Sequence, residues 1–213
     1  MGKTRAGKRY VPKDDYYHAA KKQGFVARSA LKLEELDKKF RFYSKGMKVL
    51  DLGCAPGSWL QYAHRKTTGQ GLFWGIDLSP VRIDLPNVTT VVGDIYDLKA
   101  DDPRFEGIRP FDHIQSDAMS KTTGISDADC AKSVALAEFA LYLGRRGLLK
   151  NGGSFVCKVF EGPGFTEFFL EMKKAFRRCS VNRPEAIREG SREVYVVGLE
   201  FRESGTLAAP AQD

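Results

Sequence analysis

The sequence predicts a doubly wound α/β fold, a mostly parallel sheet with helices on both faces. Two observations carry that expectation. From Lys48 onward, short apolar runs of β type alternate with helical stretches, the pattern of open sheets assembled from strand–helix–strand units. The first of these runs ends in the turn Asp51-Leu52-Gly53-Cys54-Ala55-Pro56-Gly57 and passes directly into a helical pattern, as nucleotide-binding loops of such sheets do. A chain of 213 residues supports one domain with a sizeable core, whereas two full domains would both be small.

In chain order, residues 1–14 carry Gly, Lys, Arg and Pro without apolar periodicity and read as a flexible basic arm. The domain proper is expected over residues 15–202 and opens with basic helices within 15–45. These are Tyr16–Gln23 and Ala27–Phe40, the latter with Leu33, Leu36 and Phe40 at helical spacing. Strands follow over Lys48–Leu52, Gly71–Ile76, Val88–Val92, Phe111–Ser116, Ser154–Val159, Ser180–Asn182 and Val194–Phe201, seven in all. Helices begin near Ser58, Asp127 and Gly164, the second apolar on one face through Val134, Ala137, Leu141 and Leu148. The last two strands lie too close for a helical crossover, which predicts an antiparallel pair at one edge. Residues 203–213 read as a frayed polar tail.

Charge is concentrated at one end. Residues 1–48 hold 14 Lys and Arg against 5 Asp and Glu, a balance of +9; the whole chain carries +7, so the remainder sums to −2. A basic block joined to a near-neutral body is what a polyanion-binding arm looks like, and nucleic acid is the expected partner over a plain solvated face. No apolar run approaches the roughly 20 residues of a membrane helix, and no apolar segment follows the basic start as in a secretory signal. A cytoplasmic location without membrane association is expected. Cys54, Cys130, Cys157 and Cys179 are widely spaced, and His18, His64 and His113 lack ligand spacing; free buried thiols and no metal are expected.

The turn at Asp51 to Gly57 spaces its glycines as G-x-x-x-G with Pro56 between, not as the G-x-G-x-x-G of dinucleotide enzymes. That favours S-adenosylmethionine among nucleotide ligands. Asp77 closes the second strand, where a carboxylate can accept from both ribose hydroxyls, and Asp94 closes the third, within reach of an adenine amine. Three acids at successive strand ends form a cofactor pattern, whereas Asp97 reads as a cap or surface turn. Trp59 has two readings, beneath the cofactor or in the helix core. The expected cofactor contacts are Asp51, Gly53, Pro56, Gly57, Trp59, Asp77, Asp94, Ile95 and Asp117.

From about Tyr16 to Phe201 the chain resembles the FtsJ-type ribosomal RNA 2′-O-methyltransferases. The resemblance is carried by Arg28-Ser29-Ala30-Leu31-Lys32-Leu33 with Glu35, the loop Asp51 to Trp59, Ser116-Asp117, Phe155-Val156-Cys157-Lys158 and Ser191-Arg192-Glu193-Val194-Tyr195. It implies a Rossmann-like class I methyltransferase fold and S-adenosyl-L-methionine as cofactor. It further implies a uridine in the peptidyl-transferase region of 23S rRNA, in the 50S subunit, as target. The family's catalytic Lys-Asp-Lys-Glu set falls on Lys32, Asp117, Lys158 and Glu193. Where relatives usually have a proline and an asparagine after the catalytic Asp and Ala, this chain reads Asp117-Ala118-Met119-Ser120-Lys121-Thr122-Thr123-Gly124, and Pro184 to Gly190 precedes the strand of Glu193. Both loops are expected at the substrate.

Chemistry gives the four residues a rationale of their own. A ribose 2′-hydroxyl is a poor nucleophile at neutral pH, so attack on a sulfonium methyl needs the hydroxyl positioned and its proton removed or shared. Lys158 is the candidate, since a lysine flanked by Val156, Cys157, Val159 and Phe160 is costly unless paired or functional. Its desolvation and the Lys32 charge favour loss of its proton, while Asp117 and Glu193 orient it and oppose that loss. Taken singly, Lys32 also reads as a solvated lysine and Glu193 as a cross-strand ion partner. Base methylation is disfavoured because neither an Asn/Asp-Pro-Pro-Tyr/Phe motif nor a Pro-Cys nucleophile is present. Another RNA as substrate, tRNA or organellar rRNA, and a non-catalytic assembly factor stand as alternatives. A monomer suffices for the chemistry.

Overall fold

The computed structural model describes residues 15–120, 123–187 and 190–202. The expected arm over residues 1–14 and tail over residues 203–213 lie outside them. The described elements run α1 (Asp15–Lys22), α2 (Ser29–Phe40), β1 (Met47–Leu52), α3 (Ser58–Lys66), β2 (Gly71–Asp77), β3 (Val88–Val92), β4 (Phe111–Ser116), α4 (Ser126–Leu143), β5 (Leu149–Phe160), α5 (Phe165–Ala175), β6 (Phe176–Asn182) and β7 (Glu193–Phe201). The seven strands form one sheet in the order β3-β2-β1-β4-β5-β7-β6.

The first five strands pair in parallel, and β7 runs antiparallel to both β5 and β6. The expected antiparallel pair is therefore present, with β7 inserted inboard and β6 at the edge. That insertion has a consequence for the site. Being paired with β5 on one side and β6 on the other, β7 is buried along most of its length.

Strand alternation sorts side chains to two faces. Leu50, Leu52, Ile114, Phe155, Cys157 and Val196 join α4 and α5 in the largest core cluster. Val156, Tyr195 and Val197 face the other way, packing with Leu33 and Leu36 of α2 and Trp59 and Tyr62 of α3. α2 is fastened to α3 by polar hooks as well as by apolar contact. The Ser29 and Ser58 hydroxyls meet at 2.7 Å, the Trp59 indole donates to the Ser29 carbonyl at 2.9 Å, and the Tyr62 hydroxyl donates to buried Asp37 at 2.9 Å. The helix that carries Lys32 is thereby held in register with the loop that follows β1.

Two expected strand starts differ from those observed by more than one residue. β5 begins at Leu149 rather than Ser154 because Leu149 pairs with Phe111 before the register shifts toward Ser154 opposite His113. β6 begins at Phe176 rather than Ser180. Its Arg177 and Arg178 are exposed, and both pair with Glu200. Such charge is how an edge strand is kept from pairing with other chains.

Candidate active site

β1 continues to β2 on one side and, after β3, the chain returns to β4 on the other, so the carboxyl ends of β1 and β4 border the crevice where open α/β sheets bind ligands. The two loops there are in close contact. A side chain at Gly53, where φ is +79°, would place its first carbon 2.5 Å from the Ala118 Cβ; at Gly57, φ +105°, it would strike Ile83 at 2.8 Å. Glycine is required at both positions by conformation and by space.

Around this turn the polar groups fit a nucleoside with an amino-acid tail, which is the chemistry of S-adenosylmethionine. Asp51 is fully buried; its Oδ2 accepts from the Gln115 amide at 2.9 Å, whereas its Oδ1 has no hydrogen-bond partner. Burial pushes its carboxyl up to about 8, opposed by the Gln115 hydrogen bond and reinforced by the charges of Asp117 and Asp77. A buried carboxylate oxygen left bare is a ready acceptor for an ammonium group. α3 starts with Gly57 in its capping position and no side-chain cap, which suits a carboxylate. Asp77 accepts from the Ala55 amide at 3.0 Å through Oδ2 and from the Ser79 amide at 2.8 Å through Oδ1. It clamps the turn, and each oxygen keeps a second acceptor site for a ribose hydroxyl.

Two expected cofactor residues also have structural roles. Asp94 caps the short turn Ile95–Asp97 through its Oδ1, which accepts from the Tyr96 amide at 3.0 Å; Asp97 is exposed within that turn, in keeping with the surface-turn reading. Trp59 is 2% exposed in the α2–α3 core, its ring 5.7 Å from that of Tyr195, so of its two readings the packing one describes its side chain. Pro56 lies in the turn, its carbonyl accepting from the Arg82 amide at 2.9 Å.

Lys32, Asp117, Lys158 and Glu193, drawn from α2, the end of β4, β5 and β7, converge. The Lys158 Nζ donates to the Asp117 carbonyl at 2.6 Å and lies 3.1 Å from the Asp117 Oδ1, and the Lys32 Nζ lies 2.5 Å from the Glu193 Oε1. All four side chains are at most 19% exposed, so two cations and two anions share a nearly dry pocket. Register explains the convergence. Lys158 is directly opposite Tyr195, and Glu193 is two residues before it, so all three project to the α2 face.

Tyr195 was not among the expected site residues. Its hydroxyl is 2.8 Å from the Asp117 Oδ1 and 2.7 Å from the Glu193 Oε1. Burial and then the two carboxylates push the phenol well above its ordinary value, so it stays neutral. The period-two spacing Glu193, Tyr195 is the sequence signal that places it beside the tetrad. Gln115, which orients Asp51 and accepts from the Tyr43 hydroxyl at 2.5 Å, carries no such signal. Of the two loops expected at the substrate, Met119 is exposed, and residues 121, 122, 188 and 189 lie outside the described residues.

The FtsJ-like methyltransferase family matches residues 25–201. Among curated proteins, the chain is 44% identical over 192 residues to the ribosomal RNA large subunit methyltransferase E of Bdellovibrio bacteriovorus, covering 89% of this chain and 97% of that one. It is 46% identical over 187 residues to the protein of the same name from Desulfatibacillum aliphaticivorans, covering 87% and 89%. Among solved structures, a crystal structure from Plasmodium falciparum described as a ribosomal RNA methyltransferase superposes with a TM-score of 0.74 at 27% identity, covering 83% of this chain and 98% of that one.

Proposed function

The chain belongs to the FtsJ-like methyltransferase family, and from that premise we propose that it methylates a ribose 2′-hydroxyl of ribosomal RNA, with a uridine of 23S rRNA in the large subunit as its target. The observation that carries the reading is the paired cluster Lys32–Glu193 and Lys158–Asp117 beside the β1 turn. Relatives named as large-subunit rRNA methyltransferases over nearly their whole length support the substrate class. We take the enzyme to act as a cytoplasmic monomer. Among the described residues no helix is long and apolar enough to cross a membrane.

S-adenosylmethionine, when bound, supplies the electrophilic methyl group. Asp51, the uncapped start of α3 and Asp77 would hold it at the turn. The chain's own contribution is to the hydroxyl. Lys158 is placed by two contacts to Asp117 at the carboxyl end of β4, so its Nζ is a fixed station at which the 2′-hydroxyl proton is held or taken up as the oxygen attacks. Lys32 offers a second cation that can position the ribose oxygens or a neighbouring phosphate, with Glu193 holding it in place. Closing these charges away from water strengthens each contact.

Transfer of a labelled methyl group tests the reading, with large subunits, free rRNA and tRNA, all from cells lacking the corresponding modification, as acceptors. Label entering large subunits or their rRNA, and lost with Lys158→Ala while cofactor still binds, is the expected result. Label confined to tRNA would replace the substrate, and no transfer to any of them would contradict the proposal.

A further inference from the structure

The two ion pairs are joined through one hydroxyl. Lys158 and the Tyr195 phenol address the same oxygen, Asp117 Oδ1, at 3.1 and 2.8 Å; Lys32 and the phenol address the same oxygen of Glu193, Oε1, at 2.5 and 2.7 Å. The result is a continuous chain, Lys158–Asp117–Tyr195–Glu193–Lys32. A phenol has a single proton and can donate to one carboxylate at a time. Whichever carboxylate lacks it leans harder on its lysine.

We propose that Tyr195 is a positioning residue for methyl transfer, its one shared proton setting how tightly Asp117 and Glu193 hold Lys158 and Lys32. The inference rests on the ribose-methylation reading above. Among the described residues, the charged and titratable groups joined to Lys158 are Asp117 from the end of β4 directly, Tyr195 and Glu193 from β7 and Lys32 from α2 through the phenol, and beyond Asp117 the Asp51 carboxyl of β1, where a charge on Asp117 disfavours one on Asp51. Tyr195 is fully buried and stays neutral, so it remains a donor across the working pH range. Removing its hydroxyl leaves two buried carboxylates each short of a possible donor. They are then satisfied chiefly by their lysines, which tightens both pairs and makes Lys158 less ready to take the hydroxyl proton.

Tyr195→Phe isolates the hydroxyl, because the ring that packs on Trp59 is kept. With saturating cofactor and rRNA acceptor, kcat near neutral pH is expected to fall about tenfold or more. The cofactor KM should stay unchanged, and the acid limb of the pH–rate profile should move to higher pH so that the loss shrinks at alkaline pH. 3-Fluorotyrosine at 195, a stronger donor of nearly the same size, should move that limb to lower pH, and this second variant decides the matter if Tyr195→Phe does not fold. A kcat and profile equal to wild type in both would overturn the proposal. The rate at which Lys158 reacts with an amine reagent, read by mass spectrometry, needs no RNA. Slower labelling in Tyr195→Phe is expected, equal labelling would overturn Tyr195's role, and the result stands apart from whether wild type methylates a ribose.

Discussion

Asp51 shows what a single side chain can impose on stability as well as binding. Its folded carboxyl lies near 8 against an ordinary 3.8 because burial disfavours the charge. The folded state therefore binds a proton that the unfolded chain gives up. The stability this confers is complete below the unfolded value, drains away between 3.8 and about 8, and is gone above that. Asp51→Asn, neutral and of the same shape, should remove this dependence: in thermal unfolding of the free protein, its Tm relative to wild type should rise from pH 5 to about 8 and level off above that. A constant offset would mean that Asp51 is not the titrating group. Residues of this kind differ in how legible they are. Lys158 stands out in the sequence because a charge inside an apolar strand demands a partner; Tyr195 is marked only by its period-two spacing from Glu193, and Gln115 by nothing, since a glutamine within a strand is unremarkable until register shows what it faces. Asp94 and Asp97 are separated by two residues, and only backbone geometry decides which one caps the turn.

At the scale of elements, the seven strands and five helices follow from alternation and apolar spacing, and five of the seven strands begin and end within a residue of where the pattern puts them. The exceptions have a common cause. The start of β5, Leu149-Lys150-Asn151-Gly152-Gly153, and the start of β6, Phe176-Arg177-Arg178-Cys179, carry polar or glycine-rich stretches whose pairing is supplied by a neighbouring strand rather than by their own pattern. The contact between the β1 and β4 loops is also tertiary, yet its requirement is written at one residue. Gly53→Ala puts a methyl group against Ala118 in a left-handed backbone. That should cost about 1–3 kcal/mol from the backbone alone and, by pushing the two loops apart, weaken cofactor binding and turnover together. Thermal unfolding and cofactor titration of the variant check this; wild-type values in both would show that the loops are not coupled there.

For the whole molecule, fold and chemistry place a neutral cluster of two lysines and two acids at the sheet's crevice, while the net charge sits in the first 48 residues. Affinity for a polyanion and the transfer step should then separate. Residues 1–14 hold five Lys and Arg against one Asp, so deleting them should weaken rRNA binding at low salt and flatten the plot of log affinity against log salt, while kcat at saturating RNA is retained. An unchanged salt slope would place the RNA-binding charge elsewhere. The most direct measurement of the central claim is the position of the transferred methyl group. After labelling of large-subunit rRNA, alkaline hydrolysis cuts only where a 2′-hydroxyl is free, so a ribose-methylated residue survives within a dinucleotide. Label recovered in an alkali-stable dinucleotide whose methylated nucleoside is 2′-O-methyluridine is the predicted result, and label recovered in mononucleotides carrying a methylated base would contradict it.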